Sequence, residues 1–120
     1  RNTMRVANKD AKQYIDRQEK FIGSNTFGEQ ADNLYVVYSY GHHFPMYIYD
    51  RQAGEWIGNK GRDSVSTTRQ QSHCRPSDLA SVADGGLWLD NDQMQRYVSC
   101  GSMMSYMEYN ARQEVAFLTN

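Results

Sequence analysis

The chain is poor in residues that would cross-link it, and it has no long apolar run. Its 120 residues include only two cysteines, Cys74 and Cys100. Two cysteines permit one disulfide but do not form the dense framework of a small secreted domain, so we expect free thiols. No apolar run is long enough to cross a bilayer, and the amino terminus lacks the pattern of a signal sequence. We therefore expect a soluble protein of the cytoplasm that makes no membrane contact.

A strong charge of either sign is also missing, because the formal net charge is -1 at pH 7. Proteins that bind nucleic acid usually gain affinity by releasing counterions along a strongly basic face, and this composition is unlike theirs. The charges are nevertheless unevenly placed. Basic residues outnumber acidic ones from Asp50 to Arg75, and the balance reverses from Pro76 onward. This asymmetry is a candidate for orienting a partner, although ordinary solvated surfaces explain it more simply.

Tyrosine is the residue that the chain has in quantity, with nine copies. Tyrosine buries a large ring but needs a hydrogen-bond partner for its hydroxyl, so it favours the margins of a core and contact surfaces. A chain of this length is close to the commonest size of a globular domain and leaves no room for two cores. We predict a single domain over residues 1–120 whose core depends on aromatic side chains.

The strand predictions rest on runs of β-branched and aromatic residues. Leu34–Tyr40 and Met46–Asp50 are such runs, and we expect them to pair antiparallel. Gly54 suits a hairpin turn before a third strand that contains Trp56, and Val65–Thr68 is predicted to add a short edge strand. The fold class is therefore α+β, a three- to four-stranded antiparallel sheet packed with N-terminal and C-terminal helices.

The helix predictions rest on caps and on apolar spacing. A first helix is predicted from Asn8 to Lys20 with Asn8 as its cap, followed by a loop over Gly23–Asn33. A second helix is predicted to begin near Asp90, because Asp90 and Gln93 have the spacing of a capping box, and Gly101 is expected to break it. A third helix is expected to pack back on the sheet through one apolar face: Met103, Met107, Ala111, Val115 and Leu118.

The segment SVSTTRQQSHCRP, Ser64 to Pro76, has the chemistry of a binding surface. Its hydroxyls and guanidinium groups suit phosphate, and the histidines and tryptophan elsewhere offer stacking surfaces. The alternative is that the hydroxyls satisfy an edge strand and a turn while the arginine stems cover apolar surface. The candidate binding residues are Ser64, Thr67, Thr68, Arg69, Gln71, Arg75, His42, His43 and Trp56.

Catalytic and metal sites have weaker support. His42, His43, His73 and Cys74 are acceptable ligand types, but their spacing is not a zinc pattern. Cys74 with a neighbouring histidine supplies a thiol and an imidazole, yet no signature context of a nucleophile surrounds it. We therefore predict no metal, no cofactor and no catalytic residues.

The middle of the chain resembles a family of small proteins encoded by bacteriophages and other mobile elements. The resemblance rests on YVVYSYGHHFPMYIYD, Tyr35 to Asp50, on Trp56 and Asn59, and on Ser64 to Pro76, and it extends weakly over WLDNDQM. Gln70 stands where members of the family often carry histidine, which argues against an indispensable imidazole there. The resemblance implies a mobile-element origin and the cytoplasm of a bacterial host, and it implies no chemistry.

The function expected from the sequence is binding. Tyrosine, tryptophan, methionine and arginine anchor contact surfaces, and the aromatic excess without a catalytic signature favours protein-protein interaction with a host target, such as inhibition of a host defence. The alternative is binding of nucleic acid or a nucleotide phosphate through residues 64–75. A homodimer is a further option for the partner.

Overall fold

The computed structural model describes residues 5–61 and 65–119, which form seven strands and four helices. The strands are β1 Arg5–Val6, β2 Phe21–Gly23, β3 Thr26–Ala31, β4 Leu34–Ser39, β5 Pro45–Asp50, β6 Glu55–Asn59 and β7 Leu87–Leu89. The helices are α1 Asn8–Asp16, α2 Val65–Cys74, α3 Asn91–Cys100 and α4 Met103–Thr119.

The strands form one mixed sheet in the order β1-β2-β3-β4-β5-β6-β7. Strands β2 to β6 are antiparallel neighbours, whereas the edge pairs β1-β2 and β6-β7 are parallel. The α+β class is right, but the prediction of a three- to four-stranded antiparallel sheet is wrong. Runs of β-branched residues identify central strands, and they do not reveal edge strands of two or three residues that pair through distant segments.

The predicted central hairpin is confirmed by β4 and β5, which pair antiparallel with Val36 opposite Ile48. All six residues of β4 are buried, because both faces of the sheet are covered. Alternation along the strand sends Tyr35 and Val37 to one core and Leu34 and Val36 to the other.

Helices α1 and α2 cover the first face of the sheet. They are the crossovers of the parallel pairs β1-α1-β2 and β6-α2-β7, and the order of the strands gives β1 and β6 the same direction. Right-handed crossovers that advance in the same direction place their helices on the same face, and α1 and α2 indeed contact each other. Ala11, Ile15 and Cys74 from these helices pack against Tyr35, Tyr47 and Trp56 of the sheet in one core cluster.

Helix α3 and the first turns of α4 cover the second face. The capping box predicted for α3 is confirmed: the Asp90 carboxylate accepts a hydrogen bond from the Gln93 N–H at 2.8 Å, and the Gln93 side chain accepts one from the Asp90 N–H. The break at Gly101 is also confirmed, because this residue ends α3 in the left-handed conformation with φ 84°. Met94, Tyr97 and Tyr106 pack here against strands β4 to β6.

Two predicted segments have a different structure. Val65–Thr68 begins a helix and not an edge strand, because α2 buries Gln70, Gln71 and Cys74 on one helical face. The predicted loop over Gly23–Asn33 contains β3, which pairs with β4 along its whole length.

The ends of two helices also differ from the sequence predictions. α1 begins at Asn8 but ends at Asp16, and its N-cap is Ala7, which makes no side-chain capping bond. α4 packs on the sheet only through its first turns, at Met103 and Tyr106, and residues 107–118 are exposed. The expectation that α4 packs back along its length is therefore wrong.

Candidate functional site

A cleft of about 510 Å³ opens between α2, the segment 76–86 and strands β6 and β7. We name it the α2-β7 cleft. Its size falls within the range of about 300–1,000 Å³ that is usual for small-molecule sites. Its lining residues with polar or aromatic groups are Tyr47, Asn59, Lys60, Gln71, Ser72, Arg75, Ser81 and Trp88.

The floor of the cleft is held together by buried hydrogen bonds. The Tyr47 hydroxyl donates to the Gln71 carbonyl at 2.6 Å, and Gln71 Nε2 donates to the Asn59 carbonyl at 2.7 Å. Asn59 Nδ2 donates in turn to the Pro45 carbonyl at 2.9 Å and to Asn91 Oδ1 at 3.0 Å. These bonds tie α2, the end of β6 and the start of α3 together. Gln71, a predicted binding residue, therefore uses its amide nitrogen to fix the floor.

The wall of the cleft is a stack of Trp88 and Arg75. The guanidinium carbon of Arg75 lies 5.4 Å from the centroid of the Trp88 ring, and Arg75 Nη2 donates to the Leu79 carbonyl at 3.0 Å. Trp88 Nε1 donates to the Ala80 carbonyl at 2.9 Å. The guanidinium is thus oriented by both a ring and a backbone acceptor.

The side chains that are charged at neutral pH among the described residues that line the cleft are Lys60 and Arg75, and both are cationic. Within residues 5–61 and 65–119, neither side chain takes part in an ion pair. Lys12 approaches the outer side of Arg75, where its Nζ donates to the Arg75 carbonyl at 2.7 Å. The cleft is therefore a positively charged concavity in a protein of almost neutral net charge.

The predicted binding segment contributes unevenly to this cleft. Gln71 and Arg75 line it, and Arg69 is exposed on α2 outside it. Thr67 and Thr68 belong to α2, but their side chains, like the whole of Ser64, lie outside the described residues.

The remaining predicted residues lie elsewhere. His42 packs on the second face, where its Nε2 lies 3.0 Å from Glu29 Oε2 and its ring lies 4.7 Å from that of Tyr38, centroid to centroid. The His43 carbonyl accepts hydrogen bonds from the side chains of Asn91 and Gln95. Trp56 is 5% exposed and packs in the first core, so its ring is not at the surface.

Of the lining residues, only Gln71 and Arg75 were predicted to bind, and the missed residues that matter most for charge and shape are Lys60 and Trp88. Lys60 directly follows β6, and Trp88 lies in β7. These two strands form a parallel edge pair through a crossover, with Gly58 opposite Trp88. No local pattern in the sequence indicates that pairing. The one available signal was the pair of cations that flank α2 in the basic middle of the chain.

A second exposed feature is the apolar stripe of α4, which we define as Met104, Met107, Ala111, Val115 and Leu118. At 3.6 residues per turn these positions share one narrow face of the helix, largely opposite the buried Tyr106. Their exposure is substantial, since Met107 is 61% exposed and Leu118 is 73% exposed. Phe117 is 81% exposed, but it lies eleven residues after Tyr106 and therefore on the other side of the helix from the stripe.

The thiol of Cys74 is buried and poorly suited to chemistry. Burial raises the pKa of Cys74 to about 11. Thiolates are the reactive form of cysteine, so this residue is a weak nucleophile at neutral pH. Both cysteines are free, as predicted, and Cys100 is only half-buried.

We expect a thiol titration with Ellman's reagent at pH 8 to show at most one fast-reacting thiol in the folded protein. Cys74 should react only after denaturation, because its sulfur is shielded and protonated. The Cys100→Ser variant should lose the fast phase, and Cys74→Ala should keep it. Two fast thiols in the folded wild type would contradict this assignment.

Metal ligands are not clustered in the described part of the chain: no three side chains of His, Cys, Asp or Glu lie close enough to share an ion. None of the helices within residues 5–61 and 65–119 has the length and apolar character needed to cross a membrane. Comparison of the chain with protein-family models, with curated proteins and with solved structures finds no significant match.

Proposed function

We propose that this chain is a binding protein and not an enzyme, and that it acts by protein-protein contact through the apolar stripe of α4. The observation that carries the proposal is the exposure of residues 107–118, a helical segment that extends away from both cores. The longest dimension of the molecule is 51 Å against 31 Å and 26 Å for the other two, consistent with a projecting helix.

The energetics of this helix favour a partner. Within residues 107–118 the ring of Tyr109 contacts α3, where the guanidinium carbon of Arg96 lies 5.2 Å from its centroid. Helical segments shorter than about 12–15 residues are only marginally stable in water on their own. Apolar surface left in water costs about 25 cal/mol per Å², so covering the exposed methionine, valine and leucine side chains of the stripe would stabilise the helix. A contiguous exposed apolar surface of this kind is typical of an interaction site.

The spacing of the stripe indicates the kind of partner. Met104 and Val115 are eleven residues apart, as are Met107 and Leu118, and an eleven-residue spacing keeps a stripe nearly parallel to the helix axis. Such a face is suited to an apolar groove or to another helix laid alongside it. We propose a host protein as the partner, and the mobile-element origin that the resemblance implies stays a prediction.

The test uses two double variants that add the same charge to α4. Met107→Glu with Leu118→Glu places both carboxylates on the stripe, whereas Asn110→Glu with Gln113→Glu places them on exposed positions of another face. Each protein serves as bait in a nuclease-treated bacterial lysate, and light scattering measures its mass at rising concentration. Circular dichroism confirms that all three are folded.

We expect the wild type and the control variant to retain a defined protein from the lysate. The stripe variant should retain at least about tenfold less of it, because burying two unpaired carboxylates opposes association. A dimer of the wild type that dissociates only in the stripe variant would assign the same face to a second copy. A monomeric wild type that captures the same material as the stripe variant would contradict the proposal, as would recovery of nucleic acid alone.

A further inference from the structure

The α2-β7 cleft concentrates positive charge without a compensating group among its described residues. Lys60 and Arg75 line the same cavity, and no carboxylate is found among the described residues that line it. Asp84 accepts a hydrogen bond from Ser81 at the rim, but it does not line the cavity. Two cations that line one cavity repel each other, and a bound dianion would offset that repulsion.

Arg75 is already oriented for binding. Its guanidinium is fixed by the Trp88 ring and by the Leu79 carbonyl, which uses one N–H of one terminal nitrogen. A guanidinium has five N–H donors in a planar fork that matches two oxygens of a phosphate group. Because the side chain is ordered before binding, little conformational entropy is lost when the anion arrives.

Lys60 supplies the second charge and differs from Arg75 in its setting. It follows β6 directly, its backbone N–H donates to the Leu89 carbonyl at 2.8 Å, and its side chain is exposed. Within the part of the chain that the structure describes, the ammonium group makes no hydrogen bond or ion pair. Its flexible stem allows it to close over an anion held by Arg75.

The rest of the cleft defines the size of the ligand. Inorganic phosphate would occupy only part of about 510 Å³, and the remaining lining includes Tyr47, Val82 and the hydroxyl of Ser72. A ligand that fits therefore combines an anionic group with an organic body that has apolar surface and hydroxyls. A phosphate monoester carries a charge of about -1.5 to -2 at pH 7, which matches the two cations.

We infer that the α2-β7 cleft binds a small organic phosphate monoester of mononucleotide size, with Arg75 and Lys60 holding the phosphate. This site lies on the face of the sheet covered by α1 and α2, whereas α4 belongs to the opposite face. It is therefore independent of the protein contact proposed for α4, and either can fail without the other.

The two tryptophans provide the readout, because only one of them lines the cleft. Trp88 is in the wall, and Trp56 is buried in the core outside the lining. In a ¹⁵N-labelled sample the indole N–H signals of these residues are resolved from the amides and are assigned with a Trp56→Phe variant. The probes are adenosine 5′-monophosphate, adenosine, inorganic phosphate and a single-stranded oligonucleotide of twelve bases.

Adenosine 5′-monophosphate is expected to shift the Trp88 signal in a saturable way and to leave the Trp56 signal in place. Arg75→Gln and Lys60→Gln should each weaken binding about tenfold or more, whereas Arg69→Gln, which removes the same charge from an exposed position outside the cleft, should change it less than about twofold. Adenosine should bind much more weakly than adenosine 5′-monophosphate, and added salt should weaken the binding of the nucleotide.

Several results would overturn the inference. One is the absence of any Trp88 shift at 10 mM nucleotide. This concentration is above the KM values of about 1 μM to 1 mM that are typical of enzymes for small substrates. Another is a loss of affinity in Arg69→Gln equal to that in Arg75→Gln, which would show that the nucleotide is attracted by positive charge in general and not by this site. Binding of the oligonucleotide without binding of the monophosphate would assign the charge to a nucleic-acid surface. Lys60 has an exposed side chain, so its variant keeps the test decisive if Arg75→Gln does not fold.

Discussion

Replacing Asp50 by alanine is expected to lower the free energy of unfolding by about 3–5 kcal/mol, the usual cost of removing one partner of a buried charged network. Asp50 is fully buried at the end of β5. Its Oδ2 accepts hydrogen bonds from the Tyr97 hydroxyl at 2.6 Å and from the Met103 N–H at 2.9 Å. Its Oδ1 accepts from the N–H groups of Gln52 and Ala53, both at 3.0 Å.

This carboxylate joins three parts of the fold, namely the β5-β6 turn, α3 and the first turn of α4. Without it, four donors lose their acceptor, and one of them, the Tyr97 hydroxyl, is fully buried. Asp50→Asn keeps the shape but places an NH₂ group against these donors, so a smaller loss of about 1–3 kcal/mol is expected. Urea unfolding measures both values.

The matched control for Asp50 is Asp78→Ala, which removes an exposed carboxylate and should change stability by less than about 0.5 kcal/mol. A Tyr97→Phe variant tests the network itself. The losses in unfolding free energy of Tyr97→Phe and Asp50→Ala should be clearly less than additive in the double variant, because both substitutions remove the same hydrogen bond. A cost of under about 1 kcal/mol for Asp50→Ala would show that the network does not hold these elements together.

The same network predicts how stability depends on pH. Burial opposes ionisation of Asp50, but the hydrogen bonds from Tyr97, Ala53, Met103 and Gln52 outweigh it and hold the pKa of Asp50 below its ordinary value. Its contribution is therefore fully present above the unfolded pKa of about 3.9 and is lost as the pH falls through the folded pKa. Urea midpoints from pH 2.5 to 7 should show this acid loss in the wild type and a flatter profile in Asp50→Asn.

The second large effect is expected at Gly58, where alanine should destabilise the fold by about 1–3 kcal/mol, the usual cost of overpacking. A Cβ atom here would lie 2.5 Å from Cε3 and Cζ3 of Trp88 and 2.9 Å from Cδ2 of Leu79. The ring cannot easily retreat, since Ala80 and Arg75 hold its other sides. In a strand interior alanine is normally more favourable than glycine. The expected loss of stability is therefore the opposite of what strand propensity alone predicts.

Trp88 is also the wall of the α2-β7 cleft, so Gly58→Ala is expected to shift the Trp88 indole signal while that of Trp56 stays in place. The control is the same substitution in a Trp88→Leu background, where the smaller side chain leaves room for the added methyl group. There, Gly58→Ala should cost clearly less in urea unfolding. An equal cost in both backgrounds would show that contact with the ring is not the cause.

The sequence predicted the parts of the fold whose causes are local. The β4-β5 hairpin follows from dense β-branched and aromatic residues, and α3 follows from the capping box of Asp90 and Gln93. The start of α2 was predicted to be a strand because valine and threonine favour strands locally, whereas a helix buries Gln70 and Cys74 on one face. β3 was missed because Gly28 weakens its strand propensity. There the missing side chain makes room for the Tyr35 hydroxyl and the Phe21 ring.

The candidate site was only half predictable for the same reason. Arg75 and Gln71 were identified from the chemistry of one continuous segment, but Lys60 and Trp88 join them only through the parallel pairing of β6 and β7. That pairing depends on a crossover of more than 25 residues, from Asn59 to Leu87, and no local pattern specifies it. The exposure of α4 was equally hidden, because an apolar stripe normally indicates a buried helix face.

The arrangement of the sheet also bears on how the chain folds. Strands β2 to β6 are a meander in which each strand pairs with the next one in sequence, so their contacts close short loops and cost little chain entropy. The two margins are different, since β1 and β7 join through α1 and α2 over much longer separations. We therefore expect the meander to form early and the two crossovers to add the outer strands afterwards. On that order, the α2-β7 cleft is completed only once the rest of the sheet exists.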